Sequence, residues 1–207
     1  LNGITGAGQL LLDTGLTPQQ RELVRILQTS SSALLAVVND ILDLSRAEHG
    51  KLDLLPTPAS FEKCISDTLE ILKQRYIEKQ IHVEVILDPR LQELHLFDAA
   101  RLRQILLNLL GNAGKFTPSG GRITVSVNVM SQSDSETIAV FSIHDTGIGI
   151  PAEALESIFE PFNQVDSTRG RTFGGSGLGL TICQRLLGLM GSSLSVESTV
   201  GVGSTFT

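Results

Sequence analysis

The chain has 207 residues, a formal net charge of −6, and 41 % hydrophobic against 18 % charged residues. This composition supports one or two packed domains and excludes wholesale disorder. The negative charge, the 4 % aromatic content and the absence of Trp argue against a nucleic-acid-binding module, which needs cations for the backbone and rings for the bases.

The first 50 residues predict a helical hairpin. Residues 1–13 have the pattern of a helix end, and a long second helix begins after Thr17, with Pro18 at its first position and Gln20 completing a capping box. Heptad positions along this helix are apolar with one polar exception: Leu23, Leu27, Ser30, Leu34, Val37, Ile41 and Leu44. This stripe favours a four-helix bundle with a second copy, although it can also pack against the rest of the chain.

The remainder of the chain alternates helices with strands after a linker at 48–60. We predict helices at 60–79, 99–115 (capped by Asp98) and 177–190, a short helix after Pro151, strands at 81–87, 122–130 and 137–144, and two closing strands. Hairpin-like strand pairs mixed with helices indicate an α+β fold with helices on one face of a mixed sheet. No βαβ run of the dinucleotide-binding kind is evident.

The cysteines and the apolar segments bear on the cellular compartment. Cys64 and Cys183 lie in separate amphipathic segments without a CxxC or Cys/His cluster, so we expect both to be reduced core residues. No segment has the roughly 18 unbroken apolar residues of a membrane span, and no signal peptide is evident. We expect a soluble, cytoplasmic piece of a longer protein, which as a whole can be anchored in the inner membrane.

The stretch HDTGIGIP, residues 144–151, places the carboxylate of Asp145 at a strand end. Gly147 and Gly149 follow, and glycines allow positive φ and a close approach to the main chain. The pattern is compatible with an ordinary turn and with a ligand floor in which the carboxylate accepts a fixed hydrogen bond.

The helix RLRQILLNLLGNAGKFT places Asn108 and Asn112 on one face, with Lys115 one turn further on. An Asn side-chain oxygen suits Mg²⁺, and the lysine is placed to meet phosphate charge. An exposed polar helix face would have the same pattern.

The stretch GGSGLGL, residues 174–180, opens a helix with glycines whose N–H groups can cradle phosphate oxygens. It lacks the ending of the Walker loop and does not follow a strand. The polar segment 160–173 before it has the composition of a lid.

The order NLLGNAGKFT, HDTGIGIP, FEPFNQVD, GGSGLGL and GVGSTFT resembles the N, G1, F, G2 and G3 boxes of sensor histidine kinases. The segments LNGI and LLAVVNDILDLSRAEHGKL resemble their dimerisation hairpin. The resemblance covers essentially the whole chain, and the sequence around FNQVDSTRGRTF is most similar to that of hybrid kinases.

The resemblance implies a dimerisation hairpin at 1–50 and an ATP-binding domain at 58–207, an α/β two-layer sandwich of the histidine-kinase, chaperone and topoisomerase ATPase type. It also implies ATP and Mg²⁺, a homodimer through residues 1–47, and transfer of the γ-phosphoryl group to a histidine and onward to a receiver-domain aspartate. The lid would be 160–176. The implied nucleotide-binding residues, with Asn112 as the metal ligand, are Asn108, Asn112, Lys115, Phe116, Asp145, Gly147, Gly149, Arg171, Gly175, Gly177, Leu178, Gly179 and Thr205.

Within the resemblance, Asp145 would accept a hydrogen bond from the adenine amino group, and Phe116 would lie near the base or ribose. The phosphoacceptor histidine would fall five residues before Leu1, so no residue of the chain is assigned a catalytic role. Its four histidines are outside that motif. Gly114 stands where a larger apolar residue is usual and would loosen the helix end by up to ~1 kcal/mol.

Two alternatives remain. ATP-hydrolysing relatives carry a Glu where this chain has Asn108, and an amide has no basic lone pair to activate water. A degenerate regulatory module that dimerises with other kinases is the second alternative.

Overall fold

The computed structural model describes residues 2–48, 52–133, 136–163 and 176–207. Over these residues the helices are α1 (Asn2–Leu12), α2 (Pro18–Glu48), α3 (Phe61–Glu78), α4 (Ala99–Phe116) and α5 (Gly179–Leu189). The strands are β1 (Thr57–Ala59), β2 (His82–Leu87), β3 (His95–Phe97), β4 (Arg122–Gln132), β5 (Thr137–Asp145), β6 (Val196–Thr199) and β7 (Gly203–Phe206). No helix in this part of the chain is long and apolar enough to cross a membrane.

The hairpin of α1 and α2 begins its second helix at the predicted cap. Gln20 N donates to Thr17 Oγ1 at 3.3 Å, and Thr17 N donates to Gln20 Oε1 at 2.9 Å, which completes the capping box. Asp98 likewise caps α4 by accepting from Arg101 N at 3.0 Å. In both cases a side chain next to the helix determines the residue at which the helix begins.

The larger sheet has the strand order β2-β4-β5-β7-β6. From Ile123 to Val129 every second residue of β4 is buried, and these side chains meet the buried faces of α3, α4 and α5 in one core: Ile123, Val125, Val127 and Val129. The α+β prediction, with helices packed on one face of a mixed sheet, is confirmed. Cys64 and Cys183 are free and buried, as predicted.

Several details differ from the sequence prediction. The strand β3 was not predicted, and it pairs with β1 in a separate two-stranded sheet. The strands β2 and β4 run parallel with α4 in the connection between them, so one βαβ crossover is present. The helix expected after Pro151 is a pair of short 3-10 turns, Ala152–Ala154 and Ser157–Phe159. Parallel pairing is a long-range property that a local pattern does not encode.

The end of α4 is packed against α3. The hydroxyl of Tyr76 donates to Leu110 O at 3.0 Å, and a Cβ on Gly114 would collide with the Tyr76 ring. Burial raises the pKa of Tyr76, because the phenolate would lose its hydration. Gly114 therefore provides the space in which this ring lies.

Candidate functional site

Asp145 is the last residue of β5, and only 4 % of its surface is exposed. The backbone N–H of Gly147 donates to Asp145 Oδ1 at 2.8 Å. Burial raises the pKa of the Asp145 carboxyl, whereas the backbone N–H groups of Gly147 and Ser204 and the nearby His144 lower it. A carboxylate has about four lone-pair sites, so Asp145 can still accept from a ligand N–H group.

The loop that follows this carboxylate has no room for a side chain at Gly147 or Gly149. A Cβ on Gly147 would meet Asp145 Oδ1 and would lie 2.9 Å from the carbonyl oxygen of Phe116. Gly149 has a φ of 71°, and a Cβ there would collide with the backbone of Thr199. The surface next to Asp145 is therefore bare main chain.

The loop that carries both glycines is tied at two points. Ile148 N donates to Phe116 O at 3.3 Å, and Ile148 O accepts from Gly201 N at 2.8 Å. The loop is thus held between the end of α4 and the turn between β6 and β7. A fixed backbone surface beside a buried carboxylate favours the ligand floor over an ordinary turn.

The polar face of α4 lies half-buried. Asn108 Nδ2 donates to Gly179 O at 3.4 Å, which links this face to the start of α5. Among the residues that the structure describes, the Asn112 amide has no hydrogen-bond partner, so its oxygen is open to a ligand. Burial, followed by the charge of Arg75, lowers the pKa of Lys115.

The described residues hold no cluster of three His, Cys, Asp or Glu side chains that could bind a metal ion. Mg²⁺ does not need such a cluster, because it is often held by one or two protein oxygens together with phosphates and water. The single open amide of Asn112 fits this kind of ion and not a fully protein-bound one.

The second glycine segment forms the start of α5. Gly177 has a φ of 70°, and a Cβ there would lie 2.9 Å from the backbone of Phe162. Leu178 is fully buried and anchors the turn. A Cβ on Gly179 would lie 3.2 Å from Asn108 Oδ1. The first N–H groups of α5 lack intrahelical partners and suit an anion. The predicted residues Arg171 and Gly175 lie outside the described residues.

On β7 the structure places Ser204, and not Thr205, next to Asp145. Ser204 pairs with Asp145 across the β5–β7 ladder and is buried. Thr205 points to the opposite face of the sheet, where its Oγ1 lies 3.0 Å from His144 Nδ1. Because side chains alternate along a strand, Thr205 does not face Asp145, and its role in nucleotide binding stays a prediction.

The site thus combines a buried carboxylate, bare main chain, an open amide, a lysine and a helix start. Comparison with known proteins connects this arrangement to a family. The sequence profile described as "Histidine kinase-, DNA gyrase B-, and HSP90-like ATPase" matches residues 97–207. The chain belongs to this ATPase family. Residues 1–50 match the "His Kinase A (phospho-acceptor) domain", so the chain is a sensor histidine kinase catalytic core, as its motif order predicted.

Curated relatives of this kinase core are histidine kinases. It is 41 % identical over 208 residues to hybrid signal transduction histidine kinase L of Dictyostelium discoideum, covering all of this chain and 12 % of that protein. It is 43 % identical over 194 residues to the circadian input-output histidine kinase CikA of Synechococcus elongatus, covering 93 % of this chain and 25 % of that protein. The kinase core therefore spans only a small part of these relatives.

Solved structures agree with the fold. Full-length ShkA in complex with AMPPNP superposes with a TM-score of 0.80 at 36 % identity, covering 99 % of this chain and 41 % of that chain. The histidine kinase AdeS of Acinetobacter baumannii shares the fold, with a TM-score of 0.72 at 22 % identity and coverage of 99 % and 92 % of the two chains.

Sequence reasoning missed two residues that lie next to predicted site residues or to the helix turn that carries them, Ser204 and Tyr76. Ser204 could have been found by counting back two residues from Phe206, a core residue on the same face of β7. Tyr76 gave no signal, because its contact with Gly114 joins elements that are far apart in sequence.

Proposed function

We propose that this chain is the ATP-binding core of a two-component sensor histidine kinase. It transfers the ATP γ-phosphoryl group to a histidine of the phospho-acceptor hairpin, from which the group passes to a receiver-domain aspartate. The observation that carries the proposal is the buried Asp145 carboxylate beside the bare main chain of Gly147 and Gly149.

The adenine base is proposed to lie on this floor. Its amino group donates to the Asp145 oxygens, which accept but do not donate when ionised. The absence of Cβ atoms at Gly147 and Gly149 lets the loop pack closely against Phe116 and Thr199, which fixes its main chain beside Asp145. Ser204 stands beside Asp145 as a second polar group at the base, and Phe116 stands at the end of α4 next to the floor.

The phosphates are proposed to lie between α4 and the start of α5. The Asn112 oxygen holds Mg²⁺, which neutralises phosphate charge. Lys115 adds a cation, and the N–H groups of Gly177 and Gly179 add fixed donors, whereas Leu178 N donates to Ser176 Oγ at 3.2 Å. Asn108 donates to Gly179 O and thereby holds α4 and the start of α5 together on the two sides of the phosphate site. Arg171 and Gly175 remain predicted contributors from the lid.

Transfer to histidine requires positioning and charge neutralisation and little further chemistry from the protein. At the position where the hydrolysing relatives carry Glu, this chain has Asn108, whose amide cannot activate water. We therefore propose a kinase and not an ATP hydrolase.

The hairpin is proposed to form a four-helix bundle in a homodimer. Four members of its heptad stripe are 45–58 % exposed in the single chain, namely Leu23, Leu27, Leu34 and Ile41. Although α2 also contacts α5, these four side chains remain about half exposed. A row of half-exposed large apolar side chains on one helix is stabilised by a second copy.

A receiver domain is the proposed phosphoryl acceptor after the histidine. The Dictyostelium relative is named a hybrid kinase, and we propose that the receiver of this protein is likewise on the same polypeptide. The cognate aspartate belongs to that domain.

The function is tested by two measurements. Calorimetric titration of the 207-residue chain with Mg²⁺ and ATP should show one site, and Asn112→Ala should weaken ATP binding in Mg²⁺ far more than in EDTA. The full-length protein with γ-labelled ATP should form an acid-labile, base-stable phosphoryl adduct that Asn112→Ala abolishes. ATP binding without any adduct in the full-length protein would put the regulatory-module alternative first.

A further inference from the structure

Lys79, the residue that follows α3, reaches the far end of α4. Its Nζ donates to Gly114 O at 2.8 Å, to Lys115 O at 2.8 Å and to Thr117 O at 2.9 Å. An ammonium group has three N–H donors and no acceptor, so three carbonyls match its donor set. The backbone is also fixed at this point, because Lys79 O accepts from Gly120 N at 3.0 Å.

These carbonyls belong to the last turn of a helix, where C=O groups lack intrahelical partners and the macrodipole favours a cation. Lys79 is half-buried at this position, and the loss of hydration lowers its pKa. Charge-assisted hydrogen bonds at a partly buried position stabilise a turn more than neutral hydrogen bonds do.

The turn that Lys79 holds carries groups on which the nucleotide site depends. Its three carbonyl partners flank Phe116 on both sides in the chain, and Phe116 O in turn accepts from Ile148 N of the adenine floor. Lys115, the proposed phosphate contact, contributes one of the three carbonyls. A single ammonium therefore connects the end of α3 with both the base and the phosphate sides of the site.

We propose that Lys79 is a positioning residue for nucleotide binding. It does not touch the nucleotide but fixes the last turn of α4, so that Lys115 and Phe116 stand where the phosphates and the base require them. This inference rests on the proposed ATP site.

The test compares Lys79→Met with Lys73→Met as a matched control. Lys73 also lies at this end of α3, but its side chain is exposed, and within the described ranges its Nζ pairs only with Glu70, at 3.1 Å. ATP affinity is measured by calorimetry well below the melting temperature of each variant. Lys79→Met should weaken ATP binding roughly ten- to hundredfold, the factor for lost charge-assisted hydrogen bonds. Lys73→Met should bind as wild type.

Two further variants separate positioning from a loss of stability. Val127→Ala, in the core of β4, lowers the melting temperature without touching the site and should leave the ATP dissociation constant unchanged. Lys79→Arg keeps a cation with several donors and should recover part of the affinity. If Lys79→Met does not fold, Lys79→Gln takes its place. This variant keeps two N–H donors, so its loss of ATP affinity should be intermediate.

Tyrosine fluorescence provides an independent readout. The chain has one tyrosine and no Trp, and that tyrosine, Tyr76, packs on Gly114 in the turn that Lys79 holds. Because Tyr76 is only 4 % exposed, acrylamide should quench it weakly in the wild type. Quenching should increase in Lys79→Met and return towards the wild-type value at saturating ATP.

The outcomes are distinct. Wild-type protein that fails to bind ATP contradicts the proposed function itself. Wild-type binding together with unchanged affinity and unchanged quenching in the folded Lys79 variants contradicts only the role of Lys79. An equal loss of affinity in Val127→Ala assigns the effect to stability and also overturns the inference.

Discussion

The ring of Tyr76 lies over Gly114, in the space that a Cβ at position 114 would occupy. Helix propensity alone predicts that this glycine weakens α4, but the glycine is what admits the ring. Adding a methyl group gains about 1 kcal/mol of helix propensity and costs about 1–3 kcal/mol through overpacking. We predict that Gly114→Ala lowers the free energy of unfolding, measured by denaturant titration.

Gly111 on the same helix provides the control, since a Cβ there has no atom within 4 Å. Gly111→Ala should raise the free energy of unfolding by up to about 1 kcal/mol. If Gly114→Ala is equally stabilising, the contact with Tyr76 does not restrict position 114.

Asp145→Asn should weaken ATP binding. The amide presents an N–H₂ group where the adenine amino group needs an acceptor, and a mispaired buried group costs about 1–3 kcal/mol. Titration calorimetry measures the loss of affinity. The control is Asp67→Asn, the same chemical change on α3, where the carboxylate pairs with Arg103. Equal affinities in Asp145→Asn and the wild type would remove the adenine role.

The raised pKa of Asp145 gives a pH dependence of ATP binding. Binding requires the carboxylate, so affinity should fall as pH decreases through the raised pKa, above the ordinary value of 3.8. When affinity is measured from pH 7 downward, the wild-type affinity should fall towards that of Asp145→Asn. The variant also serves as the control for protonation of the ATP phosphates, which affects both proteins equally. Parallel curves for the two proteins would contradict this.

The same group has the opposite effect on stability without ligand. Since the folded-state pKa of Asp145 is above its unfolded value, the native state binds this proton more readily. Between the folded pKa and 3.8, lowering the pH should therefore increase the Asp145 contribution to the free energy of unfolding. Denaturant titrations of wild type minus Asp145→Asn across this range isolate that contribution.

The proposed bundle predicts that Leu34→Glu or Ile41→Glu disrupts dimerisation. Each would place a charge in the apolar seam, which is costly when buried. Light scattering should report a dimer for the unmodified chain and monomer or misfolded protein for these variants. Gln19→Glu, at an exposed position of α2, should remain dimeric. An unmodified chain that is a stable monomer would contradict the bundle.

Elements controlled by nearby residues could be predicted from the sequence. The caps at Thr17 and Asp98 and the alternation in β4 lie within a few residues of the structure they specify. The order of the glycine-rich motifs was sufficient to identify the family.

Features that join distant segments could not be predicted. The pairing of β1 with β3, the parallel register of β2 on β4 and the contact of Tyr76 with Gly114 each depend on how separate elements pack. The face on which Thr205 lies could not be predicted for a different reason: a one-residue shift along a strand moves a side chain to the other face.

The alternation that turns the Thr205 side chain away from Asp145 makes this residue a suitable position for a reporter. Thr205 lies one residue from the floor, but its side chain is on the opposite face of the sheet, beside His144. The native thiols of Cys64 and Cys183 are 2 % and 0 % exposed, so a cysteine introduced at Thr205 would be labelled selectively. An environment-sensitive dye at that position would lie on the opposite face of β7 from Asp145, so it would report ligand binding without obstructing the ligand. The labelled domain would then act as a sensor of ATP concentration.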